Sequence, residues 1–228
     1  GDASSNFAKG HKWAFFPAAA FKWTVTNEKF MRGTKSWLSD LSVRISAGRS
    51  GNDAVSTYVS QMVLSTNQSG WMFGDSYEVS HYPTRIDNPN LTWEKTDSYN
   101  FGIDMSILND RVTFSLEGYM AYTKDLLYTM QNAAITGFTT RYANIGNTQN
   151  KGIELSVTSR NMSRRNFQWT TNVTLAHNSS KVTDIATAYG YVSTYSRGGY
   201  MIYGYAEGYP ANSLWGFQYE GVWHTQEE

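Results

Sequence analysis

The chain has 228 residues, carries nineteen basic and nineteen acidic side chains, and contains no cysteine. A balanced charge argues against an electrostatic nucleic-acid binder, which needs a clustered basic excess. The lack of cysteine excludes disulfides, thiolate metal sites and cysteine nucleophiles. A membrane-spanning helix is also excluded, because no run of about eighteen apolar residues occurs. Aromatic residues make up 15% of the chain, and the abundance of Tyr, Gly, Ser, Thr and Asn is typical of strands and turns.

The first predicted strand covers residues 13–25, where large apolar side chains alternate with small or polar ones. Residues 27–33 are expected to form one short helical turn, with Thr26 or Asn27 as its cap. The second predicted strand covers residues 41–47, which alternate in the same way. The sequence therefore predicts two amphipathic strands that are joined by a short link.

The clearest pattern in the chain is a hairpin with two unlike faces between residues 99 and 122. Apolar and polar residues alternate on both sides of Asn109-Asp110, and these two residue types tolerate the left-handed conformations of a two-residue turn. Closing the hairpin there brings apolar residues opposite apolar residues. A shift of one residue would destroy this match, so the register is well specified. The predicted pairs are Ile107–Val112, Met105–Phe114, Ile103–Leu116 and Tyr99–Met120.

Three further strands are predicted over residues 153–158, 167–175 and 214–223, of which the last is the least regular. The links between strands alternate in length, and this is typical of outer-membrane barrels, which have tight turns at one end and long loops at the other. We therefore predict an all-β fold, an antiparallel up-and-down meander of about seven strands that forms a section of a large transmembrane β-barrel. The short links lie near residues 26–40, 109–110 and 160–166, and the long links near residues 60–91, 125–144 and 178–212.

A soluble β-sandwich is the alternative fold, because half-buried strands alternate in the same way in any sheet. In that case the chain would be a secreted protein that binds carbohydrate through its aromatic loops. The pattern of alternation by itself leaves both folds open.

Eight short motifs follow one another along nearly the whole chain. They are the segments FPAAAFKW at residues 16–23, NEKFM at 27–31, WLSDL at 37–41, GRSGN at 48–52, NPNLTWE at 88–94, NIGN at 144–147, NKGIEL at 150–155 and GVW at 221–223. Taken together, these motifs resemble the barrel of SusC/RagA-like TonB-dependent outer-membrane transporters.

The resemblance implies a fold similar to the large plugged barrels of the outer membrane. Such proteins import nutrients, commonly oligosaccharides or peptides, with a SusD-like surface lipoprotein as partner and with energy from TonB. We accordingly expect residues 1–228 to be a partial barrel region in the bacterial outer membrane, with the plug and the terminal strand absent from it. We also expect the isolated piece to associate with itself, because an excised sheet has open edges and an apolar face without lipid.

Charged residues on the polar side of the predicted strands are candidates for a lumen-facing wall. Such a wall would contact the plug or guide the solute. The alternative is a solvated face with scattered ion pairs, each contributing about 0–1 kcal/mol. The candidates are Lys22, Arg44, Asp104, Glu117 and Glu154.

Aromatic residues in the long links are candidates for solute binding, because amphipathic rings stack on ligands and offer a polar handle. The alternative is that they pack the loops against one another. Tyr189 and Tyr200 belong to the same group of loop aromatics, although they are not among the chosen candidates. The candidates are Trp71, Tyr77, Tyr82, Tyr128, Tyr142, Tyr191, Tyr195 and Tyr203.

No enzymatic site is predicted, and no metal or cofactor is expected. Asp104 and Glu117 would be diagonal neighbours on an open wall, without the apolar pocket that a glycosidase acid needs. No serine lies in the strand-turn-helix frame of a nucleophile elbow. The histidines are too far apart in the sequence to match a ligand spacing. They are His11, His81, His177 and His224.

Overall fold

The computed structural model describes residues 1–138, 140–187, 190–198, 200–219 and 221, and most of its regular structure is β-strand. Three short 3₁₀ helices occur among these residues, at Val25–Asn27, Lys29–Thr34 and Ala134–Thr136. In chain order the strands are β1 (Asp2–Ala3), β2 (Trp13–Ala14), β3 (Ala18–Thr24), β4 (Leu38–Asn52), β5 (Leu64–Phe73), β6 (Ser76–Pro83), β7 (Glu94–Ile107), β8 (Val112–Lys124), β9 (Leu127–Gln131), β10 (Thr140–Asn144), β11 (Asn147–Arg164), β12 (Phe167–Asp184), β13 (Tyr191–Arg197), β14 (Tyr200–Ala206) and β15 (Ser213–Leu214).

The largest unit is a six-stranded antiparallel sheet, which we call the wall sheet. Its strand order is β12-β11-β8-β7-β4-β3, so each strand lies beside the next wall strand along the chain. This up-and-down order confirms the predicted fold class. No helix in the described part of the chain is long and apolar enough to cross a membrane.

The hairpin of β7 and β8 has the predicted register. Ile107 pairs with Val112 and Ile103 pairs with Leu116, and the other two predicted pairs are also present. The loop is wider than the predicted two-residue turn, because it spans residues 108–111 and Leu108 shares the left-handed conformation of Asn109 and Asp110, with φ angles of 55°, 54° and 61°. The Arg111 amide donates to the Leu108 carbonyl at 3.3 Å and closes the turn.

The predicted strand over residues 13–25 is wrong as a single element, because it is interrupted at Pro17. Proline has no N–H to give to a ladder, and it is found at strand ends or edges for that reason. Trp13 and Ala14 form β2 and pair with β1, outside the wall sheet. The wall strand β3 begins only at Ala18.

The helical turn is present as the 3₁₀ helices Val25–Asn27 and Lys29–Thr34, but the predicted cap is wrong. The residues that precede these helices make no side-chain capping bond. The Thr26 hydroxyl instead donates to Asp40 Oδ1 at 3.1 Å, so a tertiary contact uses the group that could have capped the helix.

The two predicted strands after the hairpin are longer in the structure. β11 and β12 each contain 18 residues, because the ladder continues into Asn-, Ser- and Lys-rich ends that show no apolar alternation. The predicted seventh strand over residues 214–223 is not a wall strand in the described region. Only Leu214 of that range is in a strand, where β15 pairs with β14, and residues 220, 222 and 223 lie outside the described residues.

The long links are not structureless, since each contains a hairpin of its own. β5 pairs with β6, β9 pairs with β10, and β13, β14 and β15 form a three-stranded sheet. All three lie at the same end of the wall sheet, opposite the short links. The long-link end therefore carries small sheets mounted on the wall.

A buried cluster fixes the long-link end of the wall to the N-terminal segment. It consists of Phe7, Val59, Leu91 and Trp93. The ring centroids of Phe7 and Trp93 are 5.4 Å apart, and the Trp93 indole N–H donates to the Lys12 carbonyl at 3.0 Å. This cluster supplies much of the buried apolar core in the described chain.

Candidate functional site

The wall sheet has two chemically different faces, because successive residues of a strand point to opposite sides. One face, which we call the apolar face, carries large apolar side chains from every wall strand. Its side chains are exposed, as shown by Phe21 at 63% and Leu175 at 60% of full exposure. One continuous row on this face is formed by Trp23, Val43, Ile103, Leu116, Leu155 and Leu175.

The opposite face, which we call the polar face, carries all five predicted wall residues. Four of them stand in a single row across the sheet, which we call the charged row. Asp104 lies two residues further along β7. The charged row runs Lys22, Arg44, Gly102, Glu117, Glu154 and Ala176.

Arg44 links the charges at the centre of the polar face. Its Nε lies 2.8 Å from Asp104 Oδ2, and its Nη2 donates to Glu117 Oε2 at 3.2 Å. The Ser115 hydroxyl donates to Asp104 Oδ1 at 2.8 Å. All three charged side chains are about one-third exposed, so each pair contributes only about 0–1 kcal/mol to folding. These ion pairs therefore fix the orientation of the Arg44, Asp104 and Glu117 side chains and add little to the stability of the sheet.

Gly102 makes room for the Arg44 guanidinium. A Cβ at residue 102 would lie 2.9 Å from Arg44 Nε and 3.0 Å from Arg44 Cζ. This pairing cannot be derived from the sequence, because Arg44 and Gly102 belong to strands separated by residues 53–93. A glycine inside an otherwise regular strand was the available signal, since it marks a close approach by another group.

The charges of the row are divided between its two sides. Lys22 and Arg44 lie on neighbouring strands, and Glu117 and Glu154 lie opposite each other on two further strands. Within the described residues, Lys22 and Glu154 form no salt bridge, so both charges are open to solvent or solute. The row can thus offer cations at one side and carboxylates at the other.

The eight candidate aromatic residues all lie in the small sheets at the long-link end. Trp71, Tyr77 and Tyr82 belong to β5 and β6, Tyr128 and Tyr142 to β9 and β10, and the other three to β13 and β14. Tyr189 and the Tyr200 side chain lie outside the described residues. All eight residues therefore lie at one end of the wall, in two links between wall strands and in the segment that follows β12.

Tyr195 and Tyr203 form a stacked pair with ring centroids 5.7 Å apart and an interplanar angle of 15°. The two rings are 50% and 36% exposed, so they present a ring surface and hydroxyl groups to solvent. Trp71, at 68%, is also strongly exposed. These residues have the geometry of a stacking surface.

Tyr128 and Tyr142 instead pack within the protein. Tyr128 meets Tyr205 edge to face at 5.8 Å, and both line a cavity of about 150 Å³ beneath the loops. Tyr142 packs against the buried cluster around Trp93. For Tyr128 and Tyr142 the structure favours a packing role. Tyr205 of β14, which is not among the sequence-based candidates, is the ring that packs against Tyr128.

Asp104 and Glu117 are diagonal neighbours, as their register predicted, but Arg44 lies between them. Both carboxylates bind one guanidinium on an open face, which is not the arrangement of a glycosidase acid and nucleophile. In the described part of the chain no group of three or more His, Asp or Glu residues could hold a metal. His224 lies outside the described residues.

The fold and the two faces define a section of an antiparallel barrel wall. The family model described as "TonB dependent receptor-like, beta-barrel" matches residues 1–224. The chain belongs to this family of TonB-dependent receptors, and within it to the SusC/RagA-like transporters. The family is one of outer-membrane barrels, so the chain is part of the bacterial outer membrane. This membership excludes the alternative of a soluble β-sandwich.

Two relatives show the extent of the similarity. TonB-dependent receptor SusC of Bacteroides thetaiotaomicron is 32% identical in an alignment 228 residues long, which covers 95% of this chain and 22% of SusC. TonB-dependent receptor P39 of Formosa agariphila is 30% identical over 226 residues, which cover 99% of this chain and 20% of P39. The chain thus spans about a fifth of the length of these relatives.

Solved structures show the same wall. The RagAB peptide importer in its closed-closed state is similar with a TM-score of 0.80 and 25% identity, over 93% of this chain and 22% of the importer chain. The open-open state gives a TM-score of 0.76 at 24% identity and supports the fold alone.

Proposed function

We propose that the chain is a wall section of an outer-membrane importer driven by TonB, in which the apolar face contacts hydrocarbon and the polar face lines the lumen. The observation that carries this proposal is the apolar row that continues in register across all six wall strands. A barrel wall between lipid and an aqueous interior requires this division between its faces.

The charged row would then lie on the lumen side, at the same height as the middle of the apolar face. Because Lys22 and Glu154 have no salt-bridge partner among the described residues, they would interact with the plug or with passing solute. Arg44, Asp104 and Glu117 would form a fixed polar surface between them.

The solute of the intact protein is proposed to be an oligosaccharide or a peptide. Support comes from the exposed rings of Trp71, Tyr195 and Tyr203, which suit stacking on a sugar face or packing on a peptide. RagAB, whose wall is similar, is a peptide importer. A SusD-like surface lipoprotein and TonB are proposed as the partners of the intact protein.

The orientation of the wall can be tested with two adjacent residues of β11 in the intact protein. Leu155 lies on the apolar face and Ser156 on the polar face, at the same height of the sheet. Leu155→Arg should lower the free energy of unfolding in a bilayer by about 2–4 kcal/mol, because it exposes a charge to hydrocarbon near the midplane.

Ser156→Arg is the matched control and should insert and fold like the wild type. Heat-modifiable migration on a gel reports barrel assembly, and denaturant titration in lipid gives the free energy. Equal stability of the two variants, or a larger loss for Ser156→Arg, would contradict the proposed orientation.

A further inference from the structure

The apolar face has a notch at Gly118. This residue stands between Phe101 and Ile153 in a row of larger side chains. A Cβ at residue 118 would meet no atom closer than the Gly152 carbonyl oxygen at 4.0 Å. By contrast, two glycines of the polar face are covered, Gly102 by Arg44 and Gly152 by Tyr119. In the described structure the notch at Gly118 is open.

The notch is the floor of a groove with a volume of about 640 Å³. Tyr99, Phe101, Met120 and Ile153 supply its apolar sides. The apolar composition of the groove suits an elongated apolar ligand that lies along the sheet.

Basic side chains stand at the long-link edge of the groove. Lys151 lines it, and Lys181 lies diagonally across from Lys151 on the next strand, a spacing of about 7–8 Å. His177 also lines the groove, but it lies in the row of Gly118 and Ile153, at the level of the notch. Two ammonium groups thus stand at one end of an apolar groove.

The charge on this part of the apolar face is unbalanced. Its wall strands carry Lys95, Lys124, Lys151, Lys181 and Arg49 at the long-link end, whereas the acidic residues there are Asp97 and, beyond a bulge at the end of β12, Asp184. Asp97 is already bound, since it lies 2.6 Å from Arg49 Nε and 3.8 Å from Lys124 Nζ. Lys151 and Lys181 form no salt bridge with any described residue. An anion of external origin would complete the site.

We propose that a phosphate-bearing membrane lipid binds here, with one acyl chain in the groove over Gly118 and its phosphate on Lys151 and Lys181. The inference rests on the proposed orientation, in which the apolar face meets lipid. Lysines at the edge of the apolar face then lie at the level of the head groups, where basic side chains attract anionic lipid. The groove below them gives the acyl chain a fixed place, which a flat apolar surface would not.

The test uses the intact transporter in detergent and native mass spectrometry to count bound lipid. Phosphatidylglycerol and phosphatidylcholine with identical acyl chains are the two probes. The double variant Lys151→Gln/Lys181→Gln should bind phosphatidylglycerol about 25-fold more weakly, from about fivefold for each lysine. Its binding of phosphatidylcholine should fall much less, because the choline group offsets the charge of the phosphate. Gly118→Leu fills the groove and should weaken the binding of both lipids.

Lys29→Gln/Lys35→Gln is the charge-matched control, because both lysines are exposed in the short link at the other end of the wall. Lipid binding that is the same in all variants, or lost equally in Lys29→Gln/Lys35→Gln, would overturn the proposed site. This failure differs from failure of the proposed orientation. If Leu155→Arg assembles poorly as expected while lipid binding does not change, only the lipid site is wrong.

Discussion

At the scale of single residues, three glycines of the wall sheet show how one residue type serves three purposes. Gly102 leaves space for a charged side chain, Gly152 leaves space for the Tyr119 ring, and Gly118 leaves a groove open. Tyr119 extends across Gly152 and its hydroxyl donates to Asn178 Oδ1 at 3.2 Å. Sequence patterning marks all three only as gaps in the alternation, because the partner that fills a gap comes from another strand.

Alanine substitutions of these glycines should therefore differ in cost. Gly118→Ala should be neutral or stabilise the barrel by up to about 1 kcal/mol, since the new methyl is free of clashes and the unfolded chain loses entropy. Gly102→Ala should cost little, because a flexible guanidinium can move. Gly152→Ala should cost about 1–3 kcal/mol, because its Cβ would lie 2.7 Å from the His177 carbonyl oxygen.

Unfolding free energies of the three variants in the intact barrel check this order. The expected order places Gly152→Ala as the least stable and Gly118→Ala as the most stable. A Gly118→Ala variant that is less stable than Gly152→Ala would mean that the apolar face at residue 118 is covered in the intact protein.

At the scale of elements, the sequence predicts the register of two strands only where a short link joins them. The register of β7 and β8 follows from alternation on both sides of Asn109-Asp110. The register of β4 and β7 does not follow from sequence, because residues 53–93 join these strands and allow many alignments. For the same reason the pairing of Arg44 with Asp104 and Glu117 appears only in the structure.

The hairpins in the long links were also missed. Their strands lack clean alternation, since both sides of a small loop sheet are largely exposed, as Tyr77 and Trp71 show. At Pro17 the sequence does carry a signal for a strand break. The apolar alternation on both sides of this proline nevertheless led to the prediction of one continuous strand. The eight candidate aromatics lie in the small sheets of the long links, and their division into packed and exposed rings required the structure.

The stacked pair on β13 and β14 provides a test of solute binding in the intact transporter. Tyr195→Ala removes a ring surface and should raise the KM for uptake by about two- to tenfold, which corresponds to the roughly 0.5–1.5 kcal/mol of an aromatic contact. Tyr195→Phe keeps the ring and should retain most of the affinity. Uptake of labelled oligosaccharide or peptide with unchanged KM in Tyr195→Ala would exclude a role for this pair.

At the scale of the whole molecule, the 228-residue chain exposes surfaces that water does not tolerate well. Its apolar face is uncovered, and among the described residues no further strand of the wall sheet lies beside β3 or β12, although Val182 of β12 forms an isolated bridge with Glu207. Unpaired edges and large apolar patches both promote association. The exposed surfaces of the described chain are therefore those of a section of a larger barrel and not those of an independently folding domain.

We expect the isolated chain to associate in buffer and to disperse when detergent covers the apolar face. Light scattering coupled to size-exclusion chromatography, with and without detergent, measures this. The double variant Ile103→Ser/Leu116→Ser should reduce association by making the centre of the apolar face more polar. A stable, detergent-free monomer of the unmodified chain would contradict the expectation.

The length of β11 and β12 has a consequence for where a solute is first met. Eighteen residues extend over roughly 59 Å, which at a tilt of about 45° is a rise of about 42 Å, against an apolar band of about 25 Å. With Leu155 at the midplane, about 8 Å of each strand extends beyond the apolar band at either end. In the proposed orientation, the small sheets joined to these strands, including the stacked pair Tyr195–Tyr203, begin near the head groups, and a solute from outside would meet them before it meets the wall.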